Sequence, residues 1–186
     1  MVFWIALAIL VVYGVILFNS LVSVKNAVAK AWANIDVLLK QRHDELPKLV
    51  DTCRQYMQHE QVTLEKVIQA RARVANARES QNIGALGAAE GALRSGLGSL
   101  FALVESYPEL KANEQFLHLQ SRISDLENDI ADRREFYNES VNINNVSIEQ
   151  FPELLIAKWF KFKPFEMLQF ASEELKDVDI GLRFTA

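Results

Sequence analysis

VAKAWANIDVLLKQRHDELPKLVDTCRQY, residues 28–56, decides the fold. From Val28 the series runs Trp32, Ile35, Leu39, Arg42, Leu46, Leu49, Cys53 and Tyr56, in alternating steps of four and three. Residues three and four apart share a helix face, so this is a helical seam. Its phase holds across Pro47, and the stretch reads as one long helix, kinked where proline removes a hydrogen bond. His43, Asp44 and Glu45 resemble a reaction centre at first sight. Adjacent positions fan around a helix instead of converging, and the reading they support is a solvated face.

Upstream, MVFWIALAILVVYGVILF, residues 1–18, carries no charged side chain. At 1.5 Å per residue it makes a rod of about 27 Å, close to the roughly 30 Å hydrocarbon core of a bilayer. Trp4 and Tyr13 supply interfacial aromatics. Two alternatives compete. A cleaved signal peptide would show a basic n-region, yet no Lys or Arg precedes the run, and the best A-x-A match, Ala27 to Ala29, lies beyond Lys25. A core helix apolar on every side would need a larger protein around it. The expected organisation is a transmembrane anchor over residues 1–19, a helical bundle over 20–150, and an aromatic, basic segment with an acidic tail over 151–186. Lys25 and Lys30 follow the span, which places the bundle on the cytoplasmic side by the positive-inside rule. Cys53 is the single cysteine, so no intrachain disulfide forms.

Downstream, a second helix starts near Thr63 with Leu64, Val67, Arg71, Val74 and Arg78 on its seam. SQNIGALGAAEG, residues 80–91, lowers helix propensity through its glycines. A third helix carries Leu93, Leu97, Leu100, Val104 and Tyr107 and ends at Pro108. A fourth is capped near Asn113, runs through Phe116, Leu119, Ile123, Leu126, Ile130, Arg133 and Tyr137, and fades among the asparagines before Phe151-Pro152. Short connections make successive helices antiparallel neighbours. The expected fold class is all-α: a transmembrane helix continuing into an elongated antiparallel up-and-down bundle of three to four long helices. If residues 81–91 turn, there are four helices; if they only break, three rods result.

Catalytic chemistry has nothing to rest on. His59-Glu60 lacks a second histidine four residues later, and His43, Cys53, His59 and His118 show no ligand spacing. There is no G-x-S-x-G, Walker loop or dinucleotide fingerprint. No catalytic residue, cofactor, metal or small-molecule substrate is therefore expected. A net charge of −4 and an isoelectric point near 5.5 give no basic footprint for nucleic acid.

Arg42, Arg71 and Arg133 occupy seam positions, with Asp36, Glu60, Glu105 and Glu127 within reach across a bundle. One reading is an internal polar layer that fixes helix alignment, since buried charges survive only when paired. The other is long arginine stems snorkelling out of a thin bundle. The segment FPELLIAKWFKFKPFEMLQF, residues 151–170, interleaves Lys158, Trp159, Phe160, Lys161, Phe162, Lys163 and Phe165. It would cap the bundle as core, lie in a membrane interface, or dock on a partner. Two N-x-S matches, at Asn138 and Asn145, are the kind that chance supplies.

These residues carry a pattern. NSLVSVKNAVAKAWANIDVLLKQRHDELPKLV (19–50), YMQHEQVTLEKVIQARA (56–72), ESYPELKANEQFLHLQ (105–120), ADRREFYNESV (131–141) and FPELLIAKWFKFKPF (151–165) together resemble the LemA family of bacterial membrane proteins. The chain departs from that pattern at Asn144-Asn145, in the glycine-rich residues 75–98, and in the final ELKDVDIGLRFTA. The resemblance implies a single-pass protein of the bacterial cytoplasmic membrane with a helical bundle, and it attaches no catalytic residue or cofactor. It further implies scaffold or adaptor work through protein contacts, self-association, or a role beside an HtpX-type membrane metalloprotease or in membrane remodelling.

Overall fold

The computed structural model describes residues 1–169, which form α1 (Val2–Tyr56), α2 (Gln61–Glu79), α3 (Ile83–Val104), the short α4 (Pro108–Lys111), α5 (Glu114–Glu149) and α6 (Glu153–Trp159). The all-α class is what the periodicity predicts, and no strand occurs among the described residues. The acidic C-terminal tail lies outside them.

α1 runs without interruption from the apolar N-terminus into the bundle core. From Met1 to Ile16 every residue but the half-buried Gly14 is exposed, so these turns are no core helix; burial starts at Leu17. From Val28 the buried face comprises Val28, Ala31, Ile35, Leu39, Arg42, Leu46, Leu49 and Cys53, with Trp32 and Tyr56 half-buried at its margin. α5 lies antiparallel along it: Tyr56 meets Asn113, Trp32 meets Tyr137 with ring centroids 5.8 Å apart, and Leu21 clusters with Ile148. α2 returns along α1 from Arg71 beside His43 to Arg78 beside Asp36. α3 then descends against α2, with Tyr107 beside Glu60.

The question left open at residues 81–91 resolves to four long helices, and the turn is not made by glycine. Gln81 takes the left-handed conformation (φ 51°) after α2. The Asn82 N–H donates to the Ala77 carbonyl and the Gln81 N–H to that of Arg78, each at 3.1 Å, closing a Schellman motif. The Asn82 side chain then accepts from the Ala85 N–H at 2.9 Å and starts α3. Gly84, Gly87 and Gly91 all lie inside α3.

The α2–α3 hairpin stops at the level of Asp36, while α1 and α5 continue beyond it. The groove left above the hairpin is filled by the extended residues 162–169, which run back from α6. A lone extended segment has backbone groups to satisfy, and α5 satisfies them with asparagines. Asn145 Oδ1 accepts from the Phe165 N–H and its Nδ2 donates to the Phe165 carbonyl, both at 2.9 Å. Asn138 repeats the pair on Leu168 at 2.8 and 3.0 Å, and Asn144 Nδ2 donates to the Lys163 carbonyl at 3.4 Å. The expectation that the fourth helix fades among its asparagines is therefore corrected: α5 is helical to Glu149, and the residues that weaken helix propensity are the ones that hold this strap.

Gly87 is required by the same segment. A Cβ there would stand 1.9 Å from the Gln169 carbonyl oxygen. Gly87→Ala is expected to push the strap's end off α3 and cost about 1–3 kcal/mol; hydrogen exchange at Leu168 and Gln169 should rise sharply, while exchange in α1 stays slow.

Candidate functional site

Where α1, α3 and α5 meet, a guanidinium lies in the core. Arg42 and Glu90 are each 3% exposed, and Arg42 Nη2 donates to both Glu90 carboxylate oxygens at 2.5 and 2.6 Å. Arg42 Nη1 stands 3.8 Å from Glu127 Oε1, an atom with no hydrogen-bond partner of its own. Glu90 was missing from the sequence expectation because it sits in the glycine-rich stretch. The signal was available: carrying the α3 seam back from Leu97 and Leu93 by one step reaches Glu90, then Leu86, and all four are buried.

Burial raises the Glu127 pKa above its ordinary 4.5, with the charges of Arg42 and Arg94 pulling the other way. Above pH 4.5 the folded chain retains a proton that the unfolded chain has released, so stability falls as pH rises through that window. Glu127→Gln is accordingly expected to raise the melting temperature at pH 7, and the gain should vanish below pH 4.5. A lower melting temperature at pH 7 would mean that attraction to Arg42 outweighs desolvation.

A second arrangement lies one turn away, at Pro47. Proline has no N–H, so the carbonyl four residues earlier, that of His43, loses its helical donor. Arg71 of α2 supplies one: its Nε donates to the His43 carbonyl at 2.9 Å. Its Nη2 lies 2.7 Å from His43 Nε2, which accepts if the ring proton is on Nδ1. Burial first, then the Arg71 charge, lowers the His43 pKa and favours that neutral ring. His43 is thus half-buried and engaged, a correction to the solvated face expected there, while Asp44 is exposed as expected. α1 stays helical through Pro47.

The expected polar layer of Asp36, Arg42, Arg71 and Arg133 therefore divides. Asp36 pairs with Arg78 Nε at 3.7 Å near the surface. Arg133 is exposed. A straight helix drifts by about 20° per heptad from a strict seven-residue repeat; the row Ile123, Ile130, Tyr137 and Asn144 stays buried, while the row beside it moves on to Val141 and Ile148 and leaves Arg133 out. Of the acids placed within reach of the seam arginines, Glu60 accepts from the Tyr107 hydroxyl at 3.3 Å and Glu105 pairs with Lys111 at the surface. Cys53 is fully buried, which pushes its thiol up to about 12 and leaves it inert. Among the described residues no group of three His, Cys, Asp or Glu side chains is placed to hold a metal ion.

The aromatic, basic segment also divides. Phe165 packs on the main core, and Phe162 on a separate small core of Leu21, Ile148 and Ala157. Lys161 takes the left-handed conformation (φ 57°), and the Phe162 N–H donates to the Ala157 carbonyl at 2.9 Å, so the chain reverses after α6. Phe160 lies 4.7 Å from Phe18 between ring centroids. Trp159, Lys158, Lys161 and Lys163 face outward. Phe170 lies outside the described residues.

Three long helices packed beside α1, whose first turns are apolar and whose Arg42 is paired across the bundle, define a class of elongated helical-bundle proteins with an apolar N-terminal segment. The LemA family model matches residues 31–182, and the chain belongs to the LemA family. The match runs into the final residues 174–186, where no family motif was read from the sequence. The chain is also similar to two magnetosome proteins of Paramagnetospirillum magneticum, MamQ 1 and MamQ 2, each 34% identical over 85 residues. Magnetosome protein MamQ of Magnetospirillum gryphiswaldense is 35% identical over 82 residues. These matches take in 44–46% of this chain but only 30–31% of the relatives' length.

Proposed function

We propose that this chain is a non-enzymatic, membrane-anchored scaffold or adaptor that works through protein–protein contacts, as an assembly of its own copies. The observation that carries this reading is the continuity of α1: an uncharged, almost wholly exposed helical stretch over residues 2–16 leads directly into the bundle core. They make the described residues' one helix long and apolar enough to cross a bilayer. Arg42 and Glu90, the two most buried charged groups among the described residues, join α1 to α3, which favours a structural use of charge. Exposed Phe136, Ile143 and Val146 on α5 provide a side face for lateral packing, and tethering to a plane raises the effective concentration of neighbours. Lys25 and Lys30 support a bundle on the cytoplasmic side of a bacterial cytoplasmic membrane.

The test is the mass and composition of the tagged chain extracted from native membranes in mild detergent. A homogeneous assembly of this chain alone supports self-assembled scaffolding. A fixed-ratio complex with a second membrane protein, such as a membrane metalloprotease, makes it an accessory adaptor. A chain recovered as a monomer without partners ends both readings.

A further inference from the structure

We infer that the outward face of α6 and the turn after it form a collar that binds the interfacial zone of a bilayer with anionic headgroups. This rests on the reading of the first turns of α1 as a bilayer span. The placement comes from contacts to the end of that span. Phe18, its last apolar residue before Asn19 and Ser20, lies against Phe160 and Phe162 at centroid distances of 4.7 and 6.0 Å. One turn further, Leu21 is sealed by Ile148 and Ala157. The collar is thereby fixed at the height where α1 leaves the hydrocarbon, within about one side-chain length.

What the collar shows at that height suits lipid. Trp159 is 83% exposed and Phe151 77%, with Leu155 and Phe160 exposed beside them. Such apolar area in water is costly, at about 25 cal/mol per Å², whereas tryptophan favours the headgroup boundary. Lys158 at the end of α6, Lys161 in the turn after it and Lys163 at the start of the strap are all exposed. Near an anionic surface each lysine contributes about 1 kcal/mol of attraction, and its stem lies along the apolar surface while its ammonium reaches phosphate. The acids beside α6, Glu149 at the end of α5 and Glu153 at the start of α6, flank Phe151, whereas the lysines follow from Lys158 onward. The fold also explains why the aromatics stay out: the reversal at Lys161 sends Phe162 into the small core and leaves Trp159 and Phe160 on the outside.

The test uses the full chain reconstituted in bilayers containing lipids brominated near the headgroup. Comparison of the native chain with Trp159→Phe isolates the Trp159 emission, and comparison with Trp4→Phe isolates that of the span. Trp159 is expected to lose roughly half its emission or more to the brominated lipid. Lys158→Gln, Lys161→Gln and Lys163→Gln together should reduce that loss in anionic but not in neutral bilayers. Quenching of Trp4 without quenching of Trp159 overturns the collar and leaves the span intact. Quenching of neither overturns both. A lipid-quenched Trp159 indifferent to headgroup charge and to the lysine substitutions overturns the anionic preference.

Discussion

Arg42→Leu is expected to destabilise the bundle by about 3–5 kcal/mol at pH 7. The substitution removes the guanidinium that contacts the Glu90 carboxylate, 3% exposed, and takes a positive charge from beside Glu127. Leucine fills much of the arginine's volume, so the loss is electrostatic and not a cavity effect. Two companion measurements separate the causes. Glu90→Leu should cost a similar amount, because a guanidinium cannot escape by releasing its proton. The double substitution should cost far less than the sum, since an apolar pair of similar volume replaces a buried ion pair at little or no loss. Thermal unfolding in detergent, followed by circular dichroism, reads all of these. If Arg42→Leu alone keeps the helices and loses nothing, the pair is not needed to align α1 with α3.

Arg71→Ala is expected to cost about 1–3 kcal/mol, and Pro47→Ala should largely remove that cost. The logic is backbone accounting. Pro47 withholds the N–H that the His43 carbonyl needs, and Arg71 Nε replaces it from α2 at 2.9 Å. Truncating the arginine leaves a half-buried acceptor without a donor, which costs roughly 1–3 kcal/mol. An alanine at position 47 restores a helical donor, so in that background the arginine keeps only its contact to the imidazole. A full-sized loss on Arg71→Ala in the Pro47→Ala chain would show that the guanidinium stabilises by packing and not by serving the orphaned carbonyl.

Much of this was legible because helix seams are local. The alternating steps from Val28 to Cys53, the series Leu64, Val67 and Val74, and Asn113 as a cap all follow from side chains three or four residues apart. Arg42 was also found, as a charge out of place on an apolar stripe. Its partner was not, because glycines around Glu90 suggested a break where they are helical. Glycine lowers intrinsic propensity, but the tertiary gain at Gly87, where the strap crosses within van der Waals distance, outweighs it. The asparagines misled for the same reason. Asn138 and Asn145 weaken a helix in isolation, and their use appears only once residues 165 and 168, far along the chain, lie beside them. Arg133 failed differently: Tyr137 and Asn144 keep the seven-residue row of Ile130, but the second row of the seam drifts on to Val141 and Ile148 and leaves Arg133 exposed.

The uninterrupted α1 has a mechanical consequence. Its 55 residues make a mast of about 80 Å, and no linker separates its two halves. A tilt or spin imposed on the first turns is carried along the same helix into the bundle. Because α5 is seated on α1 from Tyr56 up to Leu21, the mast is stayed along most of its length. Two such chains standing side by side would present their bundles at one height and one azimuth, set by whatever grips the foot of the mast.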